Sequence, residues 1–163
     1  MGNGYIYKCS CCSYEQEVFL GCGMLFPQVF KKVNKEVIEG KYGPEWKELA
    51  LSQELIAADA YKYLYVCDNC KNWKEDYGLS LYAPNDPEAI KKKKYGIKTV
   101  EEWGEVPYVT TWEDYHLLKE YAHKCNKCGC KMRQAPEIEV FSLPCPKCGS
   151  PSDQSNMSTI LWD

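Results

Sequence analysis

Lys124-Cys125-Asn126-Lys127-Cys128-Gly129-Cys130 and Leu143-Pro144-Cys145-Pro146-Lys147-Cys148-Gly149 decide how this chain is read. Each contains a Cys-x-x-Cys knuckle, a tight turn that aims two sulfurs at one point. Two such turns supply the four ligands of a closed tetrahedral metal site. Sixteen residues separate Cys128 from Cys145, a usual interval between the two halves of a zinc ribbon. Cys125, Cys128, Cys145 and Cys148 are therefore expected to hold one metal ion.

Two further knuckles stand upstream, Cys9/Cys12 and Cys67/Cys70, with 54 residues between Cys12 and Cys67. Cys9, Cys12, Cys67 and Cys70 are expected to form a second site. Four knuckles allow three pairings. Sequential pairing closes the shortest loops and so costs the least chain entropy, which makes it the expectation. A site closed by four thiolates has no open position for water, so metal-assisted hydrolysis is not expected. Two zinc ions are the expected cofactors. Iron is the alternative at the C-terminal site, because a tetrahedral cage of four sulfurs accepts either metal.

The sequence around the knuckles predicts an α+β fold. Tyr5–Lys8 and Glu15–Leu20 read as strands on either side of the first knuckle, and Tyr61–Val66 as a strand delivering Cys67. Between them lies a helical insertion over residues 27–60. One helix runs from Pro27 to Glu39 with Gly40 as its stop, and carries Val29, Val33 and Val37 with Phe30 and Ile38 on one stripe. A second opens at Pro44 and runs to about Ala58. Leu79–Tyr82 reads as the exit strand of the second knuckle. Asn85-Asp86-Pro87 reads as a turn, and the run Lys91–Lys94 as a solvated face.

Tyr108–Thr110 reads as a strand, and Thr111 as the cap of a short helix through Glu120, with Asp114 in a capping-box position. Ile138–Leu143 leads into the fourth knuckle and Ile160-Leu161-Trp162 closes the chain as a strand. The domains expected are an N-terminal ribbon over 1–83, a linker or exposed excursion over 84–107, and a C-terminal ribbon over 108–163.

Three cysteines remain: Cys11, Cys22 and Cys130. They are read as plain thiols, although Cys11 could replace Cys9 or Cys12, and Cys130, two residues past Cys128, could bind a third ion. His116 and His123 could serve as ligands or bases, but each expected site already has four sulfurs, so structural histidines are the reading. Gly21-Cys22-Gly23-Met24 is a glycine turn that could cradle an anion ahead of the helix at Pro27, and a ligand-free turn is the default.

The chain of 163 residues carries 20 basic and 23 acidic side chains, a formal charge of −3. Each four-thiolate site around a dication would add −2. With no net-basic segment for phosphates to meet, nucleic acid is disfavoured as a partner and another protein is expected. No apolar run approaches the ~20 residues needed to cross a bilayer. Met1–Ile6 lacks the basic and apolar regions of a signal peptide, so a cytoplasmic protein with reduced thiols is expected. No nucleophile triad, phosphate loop or dinucleotide fingerprint is present, and catalytic residues are not assigned.

Two resemblances follow from these residues. Cys125-Asn126-Lys127-Cys128-Gly129 and Cys145-Pro146-Lys147-Cys148-Gly149 resemble the first and second knuckles of rubredoxin and rubrerythrin domains, which implies that an electron carrier is the rival function. The opening Gly4-Tyr5-x-Tyr7-x-Cys9-x-x-Cys12-x-Tyr14, the segment Leu20-Gly21-x-Gly23-Met24-x-x-Pro27, the segment Tyr121–Cys128 and the Trp162-Asp163 ending together resemble a family of small bacterial double zinc-ribbon proteins. That resemblance implies a bacterial cytosolic protein with two ribbons and implies no activity. Ser13 stands where a ribbon knuckle often has glycine. The expectation is a non-enzymatic protein with two structural four-cysteine zinc sites that presents a surface to another protein, an electron carrier or a nucleic-acid-binding ribbon being the alternatives.

Overall fold

A computed structural model describes residues 2–23, 26–95, 97–99, 102, 112–152 and 157–160. The strand expected at Tyr108–Thr110, the cap at Thr111 and the terminal Leu161-Trp162 lie outside these residues. The chain divides into two units that alternate along the sequence. One comprises Met1–Met24, Tyr61–Tyr77 and Ala122–Asp163, the other Leu25–Ala60 and Gly78–Tyr121. All eleven cysteines fall in the first unit. This division does not follow the expected spans 1–83, 84–107 and 108–163: the chain enters the cysteine-free unit twice, once after each N-terminal hairpin.

The cysteine-bearing unit holds two three-stranded antiparallel sheets built alike. In one, β1 (Asn3–Lys8) and β2 (Glu15–Leu20) form a hairpin whose turn is the first knuckle. In the other, β4 (Lys62–Val66) and β5 (Trp73–Tyr77) form a hairpin whose turn is the second. Each receives its third strand from the C-terminal segment. β10 (Arg133–Ala135), which follows the third knuckle, pairs with β4. β11 (Met157–Ile160), which follows the fourth, pairs with β1. In both sheets the order is C-terminal strand, first hairpin strand, second hairpin strand.

Alternation along these strands supplies the core. Tyr7, Val18, Leu64, Val66, Trp73 and Val140 are at most 2 % exposed and pack in one cluster with Cys9 and Cys145. Burying each such side chain contributes about 1.5–3 kcal/mol. The Trp73 indole N–H donates to the Pro144 carbonyl at 2.8 Å, fixing the fourth knuckle's approach to the second hairpin. Ile138–Leu143, an approach segment in the sequence reading, is a 3-10 helix over Glu137–Ser142 that tucks Val140 inward.

The cysteine-free unit is built on α1 (Phe26–Ile38) and α2 (Pro44–Leu51). It also holds a sheet of β3 (Ala57–Ala58), β6 (Leu81–Pro84) and β9 (Tyr115–Lys119) in that order. Phe30, Val33 and Val37 bury the expected stripe of α1, while Ile38 stays 42 % exposed at its edge. Gly40 ends the helix with φ 88°, the left-handed conformation glycine adopts without penalty. Asn34, buried in α1, accepts the Ala58 N–H at 2.7 Å and so ties the helix to β3.

Several expectations change here. The second helix stops at Leu51, since residues 57–58 pair with β6 instead. The second knuckle exits through Trp73–Tyr77 rather than Leu79–Tyr82. Asn85-Asp86-Pro87 begins α3 (Pro87–Lys92), with the Asp86 carboxylate accepting the Ala89 N–H at 3.0 Å. Asp before Pro is a helix start as well as a turn. The stretch read as linker also holds the small hairpin of β7 (Lys94–Tyr95) and β8 (Lys98–Thr99). Tyr115–Lys119, expected as helix, is a strand, because pairing with β6 overrides the helix-forming Leu-Leu-Lys.

Candidate metal centres

Four turns of one geometry position the sulfurs. In each, the N–H of the first cysteine donates to the carbonyl five residues on: Cys9 to Tyr14 at 2.7 Å, Cys67 to Asn72 at 2.8 Å, Cys125 to Cys130 at 2.9 Å and Cys145 to Ser150 at 2.9 Å. The residue after the second cysteine is left-handed every time: Ser13 at φ 55°, Lys71 at 56°, Gly129 at 72° and Gly149 at 75°. Glycine accepts that conformation freely, whereas Ser13 and Lys71 hold it at a cost of about 1–2 kcal/mol each. The turn is kept in spite of the residue, which shows how strongly the knuckle geometry is imposed.

The knuckles pair first with fourth and second with third. Cys9, Cys12, Cys145 and Cys148 form one cluster and Cys67, Cys70, Cys125 and Cys128 the other, with all four sulfurs of each within 4.8 Å of one another. The sequential pairing expected from loop length is therefore replaced by a nested one. Cys9 and Cys148 sulfurs lie 3.7 Å apart, Cys12 and Cys145 3.6 Å, Cys67 and Cys128 3.4 Å, and Cys70 and Cys125 3.6 Å. A tetrahedron with metal–sulfur bonds of ~2.3 Å has edges of about 3.8 Å, so both clusters fit a bound ion. All eight expected ligand residues thus lie in four-cysteine groups that could hold metal ions.

Strand pairing explains the nesting. Each C-terminal knuckle sits just before the strand that completes a hairpin's sheet, so the sheet that recruits the strand also recruits the knuckle. Closing Cys12 to Cys145 spans 132 residues, against 16 for Cys128 to Cys145. The logarithmic loop law makes that difference about 2 kcal/mol, less than the burial of one or two core side chains.

The first cysteine of each knuckle, Cys9, Cys67, Cys125 and Cys145, is buried, while the second lies nearer solvent. At these separations the sulfurs do not ionise alike. The Ser150 hydroxyl, helped against burial by backbone N–H groups of the knuckle, holds Cys9 down to about 6. Burial and the adjoining sulfurs push Cys12 up to about 12. In the other cluster the Cys130 backbone N–H and the Cys67 side chain hold Cys128 down to about 6. Cys70 accepts from the Asn72 backbone, yet burial and its three sulfur neighbours push it up to about 12. A dication would draw all four of each set into the thiolate form.

The other expected residues are not members of the two four-cysteine groups. His123 is buried, stacks on Tyr65 at 3.7 Å between centroids and places Nδ1 3.6 Å from Asp76. Its backbone carbonyl accepts from Met132 at 2.8 Å. Burial alone would raise the Asp76 carboxyl, but the neighbouring His123 ring and the hydrogen bond from the Lys74 ammonium at 2.7 Å hold it at about 2. His116 lies in the cysteine-free unit, 3.0 Å from the Asn85 carboxamide oxygen. Cys11 and Cys130 are exposed and Cys22 is buried. Gly21 exchanges backbone hydrogen bonds with Lys62 at 2.8 and 3.0 Å, so the glycine turn extends a sheet edge. Within the lysine run, Lys91 pairs with Glu88 and Glu54, and Lys93 with Asp114.

Sequence reasoning missed the donors around the sulfurs. The Ser150 hydroxyl lies 3.3 Å from the Cys9 sulfur and 3.2 Å from that of Cys148. The Asn72 amide lies 3.7 Å from the Cys125 sulfur. Both occupy the second position after a knuckle's last cysteine, a spacing that could have flagged them.

Among the described residues, no helix is long and apolar enough to cross a membrane. Compared with known proteins, the chain matches no family model, no curated protein and no solved structure. The reading of function accordingly rests on the two four-cysteine groups and the elements that carry them.

Proposed function

We propose that this is a non-enzymatic zinc-binding protein whose two four-cysteine sites are structural and whose surface serves contacts with another protein. The observation that carries the reading is the nested pairing. Each cluster joins a hairpin to the C-terminal segment that completes its sheet, so each ion would clasp chain segments far apart in sequence. Binding energy at such a site is folding energy. Four sulfurs leave no position for substrate or activated water, which supports a structural use over a hydrolytic one.

Zinc is favoured over iron because closed four-cysteine ribbons are its common setting. The segments of the cysteine-bearing unit carry nine basic and nine acidic side chains. Two filled four-thiolate sites would make that unit net negative, which supports a protein partner over nucleic acid. Eleven unbonded cysteines suit a reducing cytoplasm, and the resemblance of the opening and closing segments to small bacterial double-ribbon proteins supports a bacterial one. Metal analysis of the purified protein tests the reading. Two zinc ions per colourless chain are expected. A red protein carrying iron that bleaches reversibly on reduction would replace it with a rubredoxin-like carrier.

A further inference from the structure

The four knuckles are alike in backbone but differ at the second residue after their last cysteine, which is Tyr14, Asn72, Cys130 or Ser150. The N-terminal/C-terminal cluster has Ser150 there, its hydroxyl within 3.3 Å of two sulfurs. Tyr7, 0 % exposed, packs in the core cluster that holds Cys9 and Cys145. The central cluster has the Asn72 amide at the longer distance of 3.7 Å from Cys125. At the position matching Ser150 it has the thiol of Cys130, exposed and two residues past Cys128.

The surroundings differ in the same sense. Among the described residues, Cys9 and Cys145 belong to a core cluster of twelve buried residues, whereas Cys67 and Cys125 pack in a cluster with Tyr65 and Met132, Tyr63 lying against it. Cys12 is half-buried, whereas Cys70 is exposed.

We infer that the two sites are unequal: the Cys9/Cys12/Cys145/Cys148 site retains its ion, and the Cys67/Cys70/Cys125/Cys128 site is an exchangeable site for a soft divalent cation, with Cys130 as a spare fifth thiol. Hydroxyl donors draw charge from bound thiolates and hold their orientation, and loss of such outer partners weakens metal sites by roughly 10- to 100-fold. A thiol in place of the hydroxyl supplies an incoming ligand. Cys130 can replace Cys128 on the ion without the coordination falling below four sulfurs, and an acceptor then takes the ion stepwise, each of its donor atoms bonding as one protein sulfur leaves and takes up a proton. No oxidation is involved: one metal–sulfur bond forms as another breaks, and the proton leaves Cys130 for Cys128.

This inference rests on both clusters being metal sites, and the experiment separates the two claims. The zinc-loaded full chain is mixed with excess EDTA, and ion loss is followed in time. Two ions leaving in two phases, differing in rate by about ten-fold or more, is the expected result. Ser150→Cys should accelerate the slow phase, Ser150→Thr should leave it slow by keeping the hydroxyl, and Cys130→Ser should retard the fast phase. Cobalt-loaded protein gives an independent readout: Ser150→Ala should shift the sulfur-to-cobalt charge-transfer band to lower energy without changing the tetrahedral d–d bands. Two ions leaving at one rate, or phases indifferent to exchanging Ser150 and Cys130, would overturn the inference and leave the structural reading standing. A chain that takes up no ion would overturn both.

Discussion

The two units reach a folded state by different routes. The cysteine-free unit has a buried helical stripe, a capped helix α3 and a short sheet, and its stability comes from packing. Phe30, Val33 and Val37 are at most 1 % exposed, and the Trp46 indole N–H donates to the Leu79 carbonyl at 2.8 Å. The cysteine-bearing unit is made of three separate chain segments, with strands of three to six residues. Two four-cysteine clusters stand where its segments meet. Where local elements are long enough to bury a face, side chains suffice. Where they are short and distant in sequence, an ion held by the four-cysteine groups would supply the link, as small scaffolds generally require.

Removing metal should break this comparison most visibly. Structural zinc sites contribute on the order of 10 kcal/mol each. Chelation should therefore abolish amide protection in residues 3–20, 62–77 and 122–152, while α1 and α2 retain theirs in hydrogen exchange. Equal loss in both units would show that the packing route does not stand alone.

Single ligand changes come next. Cys9→Ser and Cys145→Ser should each cost the same one ion, and the double variant should cost no more. Cys9→Ser with Cys67→Ser should cost both. Zinc counts on purified protein read this directly. Phe30→Ala should destabilise the cysteine-free unit by about 3–5 kcal/mol and leave the count at two.

Turn substitutions are smaller. Ser13→Gly and Lys71→Gly should each stabilise by about 1 kcal/mol, and Gly129→Ala should destabilise by about as much. Chemical denaturation of the metal-loaded protein measures both signs. The smallest effect is electrostatic. Hydrogen bonds from Lys41 and the Tyr42 hydroxyl hold Glu36 below its ordinary 4.5. A depressed carboxyl stabilises above its unfolded value, and that contribution is lost as pH falls through the folded one. Glu36→Gln should therefore lower the Tm of the cysteine-free unit near pH 6 and have little effect well below pH 4.5.

The sequence revealed the parts of the cysteine-bearing unit better than their assembly. The knuckles, the first hairpin, the strand delivering Cys67 and α1 follow from spacing and periodicity, signals that lie within a dozen residues, whereas the second hairpin's return strand, Trp73–Tyr77, was placed at Leu79–Tyr82. The pairing did not follow either, because loop entropy distinguishes the three arrangements by only about 2 kcal/mol. The Trp73–Pro144 contact and the β1–β11 and β4–β10 pairings, which decide it, join residues 67 to 156 positions apart. The misreading of Tyr115–Lys119 has the same origin, since its Leu117 and Leu118 suit a helix until β6 lies alongside. Ser150 escaped attention because its partner Cys9 belongs to the knuckle that sequential pairing assigned elsewhere.

The nested pairing is tested most directly by loading the full chain with cadmium-113 and correlating each metal resonance with the cysteine β-protons it couples to. One resonance should connect to Cys9, Cys12, Cys145 and Cys148, and the other to Cys67, Cys70, Cys125 and Cys128. A resonance joining Cys9 and Cys12 to Cys67 and Cys70 would contradict this account.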